Sequence, residues 1–242
     1  MLAIRDLRAG YGLSEVLSGV SLEVPDGALV AVLGRNGMGK TTLCRSIMSL
    51  APPTVRSGLM DYDGHELAGL PAHKVARGGL GYVPQGRHVF SSLGVVENLT
   101  IAARGVDGDR GDGERWTLDR IWEMFPRLHE RRRNRAGQLS GGEQQMLAIA
   151  RALMTNPRLL IMDEPSEGLA PMIVEHVGEQ LQELKGSSLS ILLVEQNYNL
   201  AIKLADVAYV LENGEVVFRG SAEELDGDEE VKQRYLGVGV AA

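Results

Sequence analysis

Cysteine is nearly absent from the chain, which has only Cys44 among its 242 residues. An internal disulfide is therefore impossible, and a reducing compartment is expected. Aromatic residues make up only 5% of the chain, and no apolar run approaches the roughly 20 residues that span a bilayer. The first residues also lack the charged and apolar pattern of a signal peptide. We therefore expect a soluble chain that depends on another subunit for any work at a membrane.

An excess of basic residues is also missing. The formal net charge is −7, with 44% hydrophobic and 24% charged residues. This acidic balance disfavours nonspecific binding to nucleic acid or to an anionic membrane, so we expect no nucleic-acid partner. It does not disfavour a nucleotide, because local backbone N–H groups and a single lysine can hold the phosphates. The length suits one large domain or a domain with an insertion.

What the sequence does contain is a glycine-rich loop at 34–42 that matches the phosphate-binding pattern G-x-x-x-x-G-K-[ST]. Its glycines let backbone N–H groups turn towards an anion, and the following helix, expected over 40–50, adds its positive end. Lys40 supplies a charge for the outer phosphates, and the Thr41 hydroxyl can hold Mg²⁺. A glycine turn before an ordinary helix is the alternative, but the apolar run 28–33 predicts the buried strand that this motif requires. The predicted nucleotide-binding residues here are Gly34, Asn36, Gly37, Gly39, Lys40, Thr41 and Thr42.

A second motif is the acidic pair Asp163 and Glu164, which directly follows the apolar run 159–162. A strand that ends in acids places carboxylates at the edge of the sheet where α/β proteins bind ligands. In P-loop ATPases such an aspartate holds Mg²⁺, and an adjacent glutamate can act as a general base towards water. The alternative is an aspartate that only caps a helix N-terminus. The presence of the phosphate loop in the same chain favours the Mg²⁺ role over this alternative.

A third motif, at 139–143, combines a serine, two glycines and a glutamate. Ser140 and Glu143 have the spacing of a capping box, and the following residues have one apolar face. Capping does not require two glycines, whose bare N–H groups make a second anion site at a helix N-terminus. We interpret the motif as serving both capping and anion binding, with Ser140, Gly141 and Gly142 as binding residues.

The chain alternates between two kinds of pattern. Short strands, beginning with 2–7 and 22–24, and helices alternate up to Gln85 and again after Pro157, whereas helical periodicity dominates between them. Asn213 and Gly214 between two apolar runs predict a β-hairpin. The polar, glycine-rich stretch 105–113 predicts a flexible surface loop, and the basic cluster 131–135 predicts a solvated helix end.

Together, and in this order, the three motifs resemble those of ABC ATPases, and 139–143 is similar to their signature sequence. The resemblance covers essentially the whole chain. It implies an α/β P-loop NTPase fold with a mainly parallel core sheet, an N-terminal antiparallel β subdomain and an inserted α-helical subdomain. It implies one domain over 1–242, with a RecA-like core formed by 1–85 and 156–242 and a helical signature subdomain at 86–155. It also implies a head-to-tail dimer that holds two ATP, each between one subunit's phosphate loop and the other's signature.

Three further sites match the family by role, and one position departs from it. Tyr11 stands where the family stacks an aromatic ring on adenine, although a tyrosine in a turn remains an alternative. Gln85 resembles the glutamine that reaches the metal and the attacking water, in a loop that touches the membrane partner. The stretch 166–169 matches the loop that crosses the dimer. Gln196 replaces the usual histidine near the γ-phosphate, and glutamine cannot carry a proton at neutral pH, so hydrolysis is expected to depend more on Glu164.

The stretches 34–40, 82–87, 166–171 and 194–197 are together similar to an ATPase subunit of branched-chain amino acid importers. Urea and short-amide importers are close relatives and remain an alternative. The resemblance implies an ATPase that couples ATP and Mg²⁺ binding and hydrolysis to solute uptake. Its implied partners are integral-membrane permease subunits, a second identical or different ATPase subunit and, indirectly, a solute-binding protein. The implied location is the cytoplasmic face of the membrane, as a peripheral subunit.

Three other functions compete with this one. A soluble ABC ATPase of nucleic-acid repair or translation would carry long coiled coils or two fused ATPase units, which the sequence does not show. A module that holds ATP as a switch without hydrolysis is disfavoured by the intact pair of Asp163 and Glu164. An exporter is less expected, since no membrane domain is fused to the ATPase.

Overall fold

The computed structural model describes residues 1–103 and 115–237, so the predicted loop at 105–113 lies outside the described residues. The strands are β1 Leu2–Tyr11, β2 Ser14–Val24, β3 Leu29–Leu33, β4 Thr54–Tyr62, β5 His65–Glu66, β6 Leu80–Val83, β7 Leu159–Asp163, β8 Ser190–Glu195, β9 Val207–Glu212 and β10 Glu215–Ser221. The α-helices are α1 Lys40–Ile47, α2 Ala72–Arg77, α3 Val95–Thr100, α4 Leu118–Met124, α5 Pro126–Glu130, α6 Gly141–Leu153, α7 Pro171–Lys185, α8 Tyr198–Leu204, α9 Ala222–Gly227 and α10 Glu229–Val231. A 3₁₀ turn at Ala136–Gln138 and a π-helical turn at Lys232–Leu236 complete the described elements.

The central sheet has six strands in the order β10-β9-β3-β8-β7-β6. The pairs from β9 to β6 are all parallel, and only β10 runs antiparallel, at the edge. The predicted mainly parallel sheet is therefore confirmed. Its inner strands are short and apolar because helices or the second sheet cover both of their faces.

The edge hairpin between β9 and β10 turns at the predicted pair. Asn213 and Gly214 have φ values of 47° and 79°, and a two-residue turn with positive φ at both positions matches the twist of the flanking strands. The Gly214 N–H donates to the Met38 carbonyl at 3.1 Å. The hairpin therefore braces the loop that follows β3.

The second sheet is antiparallel, in the order β2-β1-β4-β5. The strands predicted at 2–7 and 22–24 were too short. In the structure β1 continues to Tyr11, and β2 already begins at Ser14. Register shifts interrupt the pairing of β1 with both neighbours. Asp6, Gly19 and Gly58 have positive φ values within these strands, and such bulges break the alternation of side chains that identifies a strand in a sequence.

Strand β3 separates two hydrophobic cores. Leu29, Ala31 and Leu33 are buried in one core, with apolar residues of α6, α7 and α8. Val30 and Val32 are buried in the other, with residues of α1 and of the antiparallel sheet. Because a strand alternates its side chains between two faces, β3 is fixed from both sides, and the loop after it starts from a rigid position.

Between β6 and β7, the described residues form helices α3 to α6 and the 3₁₀ turn. The predicted apolar face of α6 is buried, and consists of Met146, Leu147, Ile149, Ala150 and Leu153. The basic cluster 131–135 follows α5 and is largely exposed, as predicted. Helix α1 ends at Ile47, three residues before the predicted end. No helix in the described part of the chain is long and apolar enough to cross a membrane.

Candidate nucleotide-binding site

The loop 34–39 joins the end of β3 to α1 and presents a helix N-terminus. Gly37 and Gly39 have φ values of 83° and 104°, and residues with a Cβ rarely adopt such backbone angles. A Cβ on Gly39 would also lie 2.8 Å from Cδ2 of Leu17. Among the described residues no side chain caps α1, and its first turn has no acidic residue. The N–H groups of this turn therefore remain suited to an anionic ligand.

Lys40 links this loop to the end of β7. Its side chain is only 3% exposed, and its Nζ donates to the carbonyl oxygens of Gly34 at 2.7 Å and Arg35 at 2.8 Å. The same Nζ lies 2.9 Å from Oε1 of Glu164. A buried ammonium is stable only with such partners. Lys40 therefore connects the phosphate loop directly to the acidic pair.

Asp163 is fully buried at the end of β7. Its Oδ1 accepts a hydrogen bond from the Thr41 hydroxyl at 3.3 Å, and its Oδ2 accepts one from the Tyr82 hydroxyl at 3.2 Å. Burial raises the pKa of Asp163 to about 6, although both hydrogen bonds oppose the shift. Burial also raises the pKa of Tyr82, so its phenol remains a donor at neutral pH. The aspartate is held in place by the first turn of α1 and by β6.

Glu164 has a left-handed backbone, with φ of 48°. Non-glycine residues there are strained by about 1–3 kcal/mol and concentrate at functional sites. The Glu164 N–H donates to the Val194 carbonyl at 2.8 Å, and Gln85 donates from Nε2 to Oε2 of Glu164 at 3.3 Å. With Lys40 on the other oxygen, the carboxylate is fixed at both ends.

The side chains predicted to hold a metal are neighbours in the structure. Thr41 and Asp163 contact each other, and Gln85 contacts the adjacent Glu164. No group of three or more His, Cys, Asp or Glu residues within 1–103 and 115–237 could hold a metal ion. Mg²⁺ needs no such cage, because one or two carboxylates with phosphate oxygens and waters suffice. A hydroxyl, a carboxylate and an amide oxygen are therefore a donor set that fits Mg²⁺.

Tyr11 and Gln196 are the two remaining side chains predicted to belong to the site. Tyr11, at the end of β1, is 39% exposed, and its hydroxyl lies 3.3 Å from Oγ1 of Thr42. The exposed ring therefore lies beside the first turn of α1. Gln196 follows β8 at the same sheet edge as Asp163, and its side chain is exposed.

The sequence reasoning missed Glu195, which is 1% exposed at the end of β8. Its carboxylate accepts from the N–H of Ser166 at 3.0 Å, from the Ser166 hydroxyl at 2.9 Å and from the N–H of Asn197 at 3.0 Å. Burial raises its pKa, although these hydrogen bonds oppose the shift. Glu195 thus ties the loop 166–169 to β8. The signal that identified Asp163, an acid at the end of an apolar run, was also present here.

The signature residues form the N-terminus of α6. Ser140 caps the helix, since its Oγ accepts from the Glu143 N–H at 3.3 Å and Glu143 Oε2 accepts from the Ser140 N–H at 2.8 Å. The predicted capping box is therefore confirmed. A Cβ on Gly142 would lie 2.6 Å from Cγ2 of Ile173, so α7 packs directly against this turn. Within the described residues, no hydrogen bond or ion pair joins Ser140, Gly141 or Gly142 to the phosphate loop.

Comparison with known proteins assigns the chain to a family. A family model described as ABC transporter matches residues 17–167. The high-affinity branched-chain amino acid transport ATP-binding protein BraG of Pseudomonas aeruginosa is 45% identical over 98% of this chain and 100% of that protein. The probable branched-chain amino acid transport ATP-binding protein LivF of Archaeoglobus fulgidus is 39% identical over 98% and 99% of the two chains. The lipopolysaccharide export system ATP-binding protein LptB of Escherichia coli K12 is 35% identical over 98% and 97%.

Solved structures show the same fold. The ADP conformation of MJ1267, an ATP-binding cassette of an ABC transporter, superposes with a TM-score of 0.79 at 25% identity, covering 98% of this chain and 94% of the other. An ATP-binding subunit of an ABC transporter superposes with a TM-score of 0.78 at 29% identity, covering 98% and 96%. The chain belongs to the ABC transporter family, as one of its nucleotide-binding ATPase cassettes.

Proposed function

We propose that this chain is the ATP-hydrolysing subunit of an importer for branched-chain amino acids. The observation that carries the ATPase chemistry is the connected set in which Lys40 joins the phosphate loop to Glu164, and Glu164 joins Gln85. The substrate class is supported by BraG and LivF, whose identities of 45% and 39% exceed the 35% of the export protein LptB.

Nucleotide binding would use the first turn of α1. Its uncapped N–H groups and Lys40 would bind the anionic phosphates, and Tyr11 would stack on the adenine. Thr41, Asp163 and Gln85 would hold Mg²⁺, which when bound neutralises charge on the outer phosphates. Thr41 and Asp163 are already in contact, so the chain itself brings these oxygens together.

Glu164 would act as the general base that aligns the attacking water. In the structure Lys40 occupies one of its oxygens. A γ-phosphate that attracts the Lys40 ammonium would free that oxygen for water, so the base would become active only beside a bound nucleotide. Gln196 can orient water or phosphate by hydrogen bonding, but it moves no proton at neutral pH.

Ser140, Gly141 and Gly142 would bind the γ-phosphate held by a second subunit. Their helix N-terminus has no bond to the phosphate loop of the same chain among the described residues, which supports a head-to-tail dimer with two nucleotides between subunits. The second subunit is either a copy of this chain or a different ATPase. We divide the chain into a core, 1–85 and 156–242, and a helical subdomain, 86–155.

The assembly would couple this dimer to a permease at the cytoplasmic face of the membrane. The loop after Gln85 would contact the permease, and a solute-binding protein would deliver the amino acid. ATP would close the dimer, and hydrolysis would reopen it.

The ATPase mechanism is tested with Glu164→Gln, which keeps the shape of the side chain and removes the base. We expect ATP turnover to fall on the order of a hundredfold, with ATP still bound and an ATP-bound dimer trapped. Glu183→Gln, at an exposed position of α7, is the matched control. Unchanged turnover in Glu164→Gln would remove Glu164 from this role.

The transport assignment is tested by uptake of radiolabelled leucine, isoleucine and valine in cells that lack this chain. Loss of uptake, restored by the wild-type chain and not by Glu164→Gln, supports the proposal. Intact amino acid uptake with loss of urea or amide uptake would select the related importers instead. Purification of the tagged chain with soluble partners only would overturn the transport role.

A further inference from the structure

Arg87 reaches from the loop after Gln85 to the loop after Glu164. Its Nη2 donates to the Gly168 carbonyl at 2.6 Å and lies 3.3 Å from the Glu167 carbonyl. Its own backbone is left-handed, with φ of 54°, which is uncommon for a long side chain. The local backbone is therefore held in a strained form that directs the guanidinium onto the 166–169 loop.

The same guanidinium lies at the N-terminus of α6. A Cβ built on Gly141 would be 2.4 Å from Nη1 of Arg87 and 3.2 Å from its Cζ. Only a glycine at 141 leaves room for this approach. A cation at the positive end of a helix is unfavourable by itself, so the two loop carbonyls, rather than the helix, hold Arg87 there.

The residues that follow Arg87 are fixed to the helices on the other side. Arg151 near the end of α6 donates to the His88 carbonyl, and its guanidinium lies 4.8 Å from the centre of the Phe90 ring. Buried Asn98 of α3 accepts from the Phe90 N–H at 2.9 Å and donates to the Phe90 carbonyl at 3.0 Å. The segment 88–90 is therefore anchored to α3 and α6.

Helix α6 thus contacts one short segment near both of its ends. Gly141 and Arg151 are ten positions apart, about 15 Å along the helix, and they meet Arg87 and His88, which are adjacent in the chain. A displacement of the segment 87–90 would shift the signature turn and the 166–169 loop together.

We propose that Arg87 is a positioning residue that locks the signature end of α6 to the 166–169 loop, so that movement of the helical residues reaches the hydrolytic centre. The inference rests on the proposed function for the roles of Ser140 and Glu164. A guanidinium suits this position because Nη2 donates to the loop carbonyls while Nη1 lies against the glycine turn. One planar group therefore spans both, whereas the ammonium of a lysine is a single point.

The first test is hydrogen exchange on the full chain, measured by mass spectrometry for wild type, Arg87→Ala and Arg87→Lys. In Arg87→Ala we expect exchange to rise about tenfold in peptides that cover 166–169 and the first turn of α6, as for loss of charge-assisted hydrogen bonds. Peptides of the phosphate loop and ATP affinity should stay unchanged. Arg127→Ala, which removes an exposed arginine paired with Glu130, is the control and should change neither region. Equal exchange in wild type and Arg87→Ala overturns the proposal.

The second test separates positioning from simple support of the fold. We expect Arg87→Ala to lower kcat about tenfold while KM for ATP stays within about twofold, and Arg87→Lys to recover only part of kcat. Unchanged kcat in Arg87→Ala also overturns the role in the reaction. A wild-type chain that binds ATP without turnover would contradict the proposed function instead, and the exchange experiment would then decide on Arg87 alone.

Discussion

Helices α1 and α6 both have a glycine at or next to their first residue, yet their N-termini carry opposite charges. Helix α1 follows Gly39, which offers no side-chain cap, and its first residue is a lysine. Helix α6 is capped by Ser140, and Glu143 in its first turn returns a hydrogen bond. The first turn of α1 contains a lysine and no acidic residue, whereas the first turn of α6 contains Glu143, which partly neutralises the positive end of that helix.

This difference indicates a division of labour between two anion sites. The N-terminus of α1 has no side-chain cap and has a buried ammonium, so it is suited to bind phosphate within one chain. The N-terminus of α6 is stable by itself, so it can add to a phosphate that is already held elsewhere. A strong site and a weak site suit a nucleotide that is first bound by one subunit and then enclosed by another.

The largest effect should come from removing the cation of the strong site. Lys40→Ala deletes the charge for the phosphates and leaves buried Glu164 without its cationic partner. We expect turnover to fall by about 10²–10³-fold, and ATP affinity, measured by calorimetry, to fall with it. Lys203→Ala, at an exposed position of α8, is the control. If Lys40→Ala kept full ATP affinity, the N-terminus of α1 would not be the stronger of the two anion sites.

The weak site, at the first turn of α6, should not tolerate added side-chain volume. In Gly142→Ala the new methyl group would lie 2.6 Å from Cγ2 of Ile173. We expect the free energy of unfolding to fall by about 1–3 kcal/mol, as for overpacking, with ATP affinity retained. Adding Ile173→Ala should restore part of the stability. If Gly142→Ala alone weakened ATP binding by the monomer, the site would belong to the same chain's nucleotide.

The cap of α6 should contribute stability and little binding. Ser140→Ala removes the acceptor for the Glu143 N–H. We expect urea denaturation to show a loss of about 1 kcal/mol in the free energy of unfolding, with ATP affinity of the single chain unchanged. A loss of ATP affinity instead would show that α6 acts as a primary site.

The smallest effect concerns the charge of Glu143. Burial acts to raise its pKa, but hydrogen bonds from Ser140 and Arg131 outweigh it and lower the pKa. A lowered pKa means that ionised Glu143 stabilises the fold above its ordinary pKa of about 4.3 and loses this effect as pH falls through the lowered value. At neutral pH the free energy of unfolding of the wild type should therefore exceed that of Glu143→Gln by about 0.5 kcal/mol. Denaturation at several pH values should show this gap closing in acid, and a gap independent of pH would contradict the assignment.

Part of this architecture could be predicted because the sequence states it locally. The run 28–33 is apolar at every position, since both faces of β3 are covered, and the loop after it has a fixed spacing. The capping box of α6 lies within four residues. The long strands β1 and β2 were missed in part because positive φ at Asp6 and Gly19 interrupts their alternation.

The missing parts of the site depend on which strands become neighbours. Tyr82 meets Asp163 because β6 pairs with β7, and Ser166 meets Glu195 because β7 pairs with β8. No spacing along the chain records these partners. The contact of Lys40 with Glu164 likewise spans 124 positions, and it exists only once the parallel sheet has formed.

The single cysteine makes the chain convenient for spectroscopy. Cys44 is fully buried in α1, and burial raises the pKa of its thiol well above the usual range, so thiol reagents should not react with it in the native protein. Cysteines introduced at exposed positions such as Leu13 and Met172 would therefore take fluorescent or spin labels selectively in an otherwise native background. Changes in the distance between such probes when nucleotide is added would report any movement of α7 relative to the turn between β1 and β2.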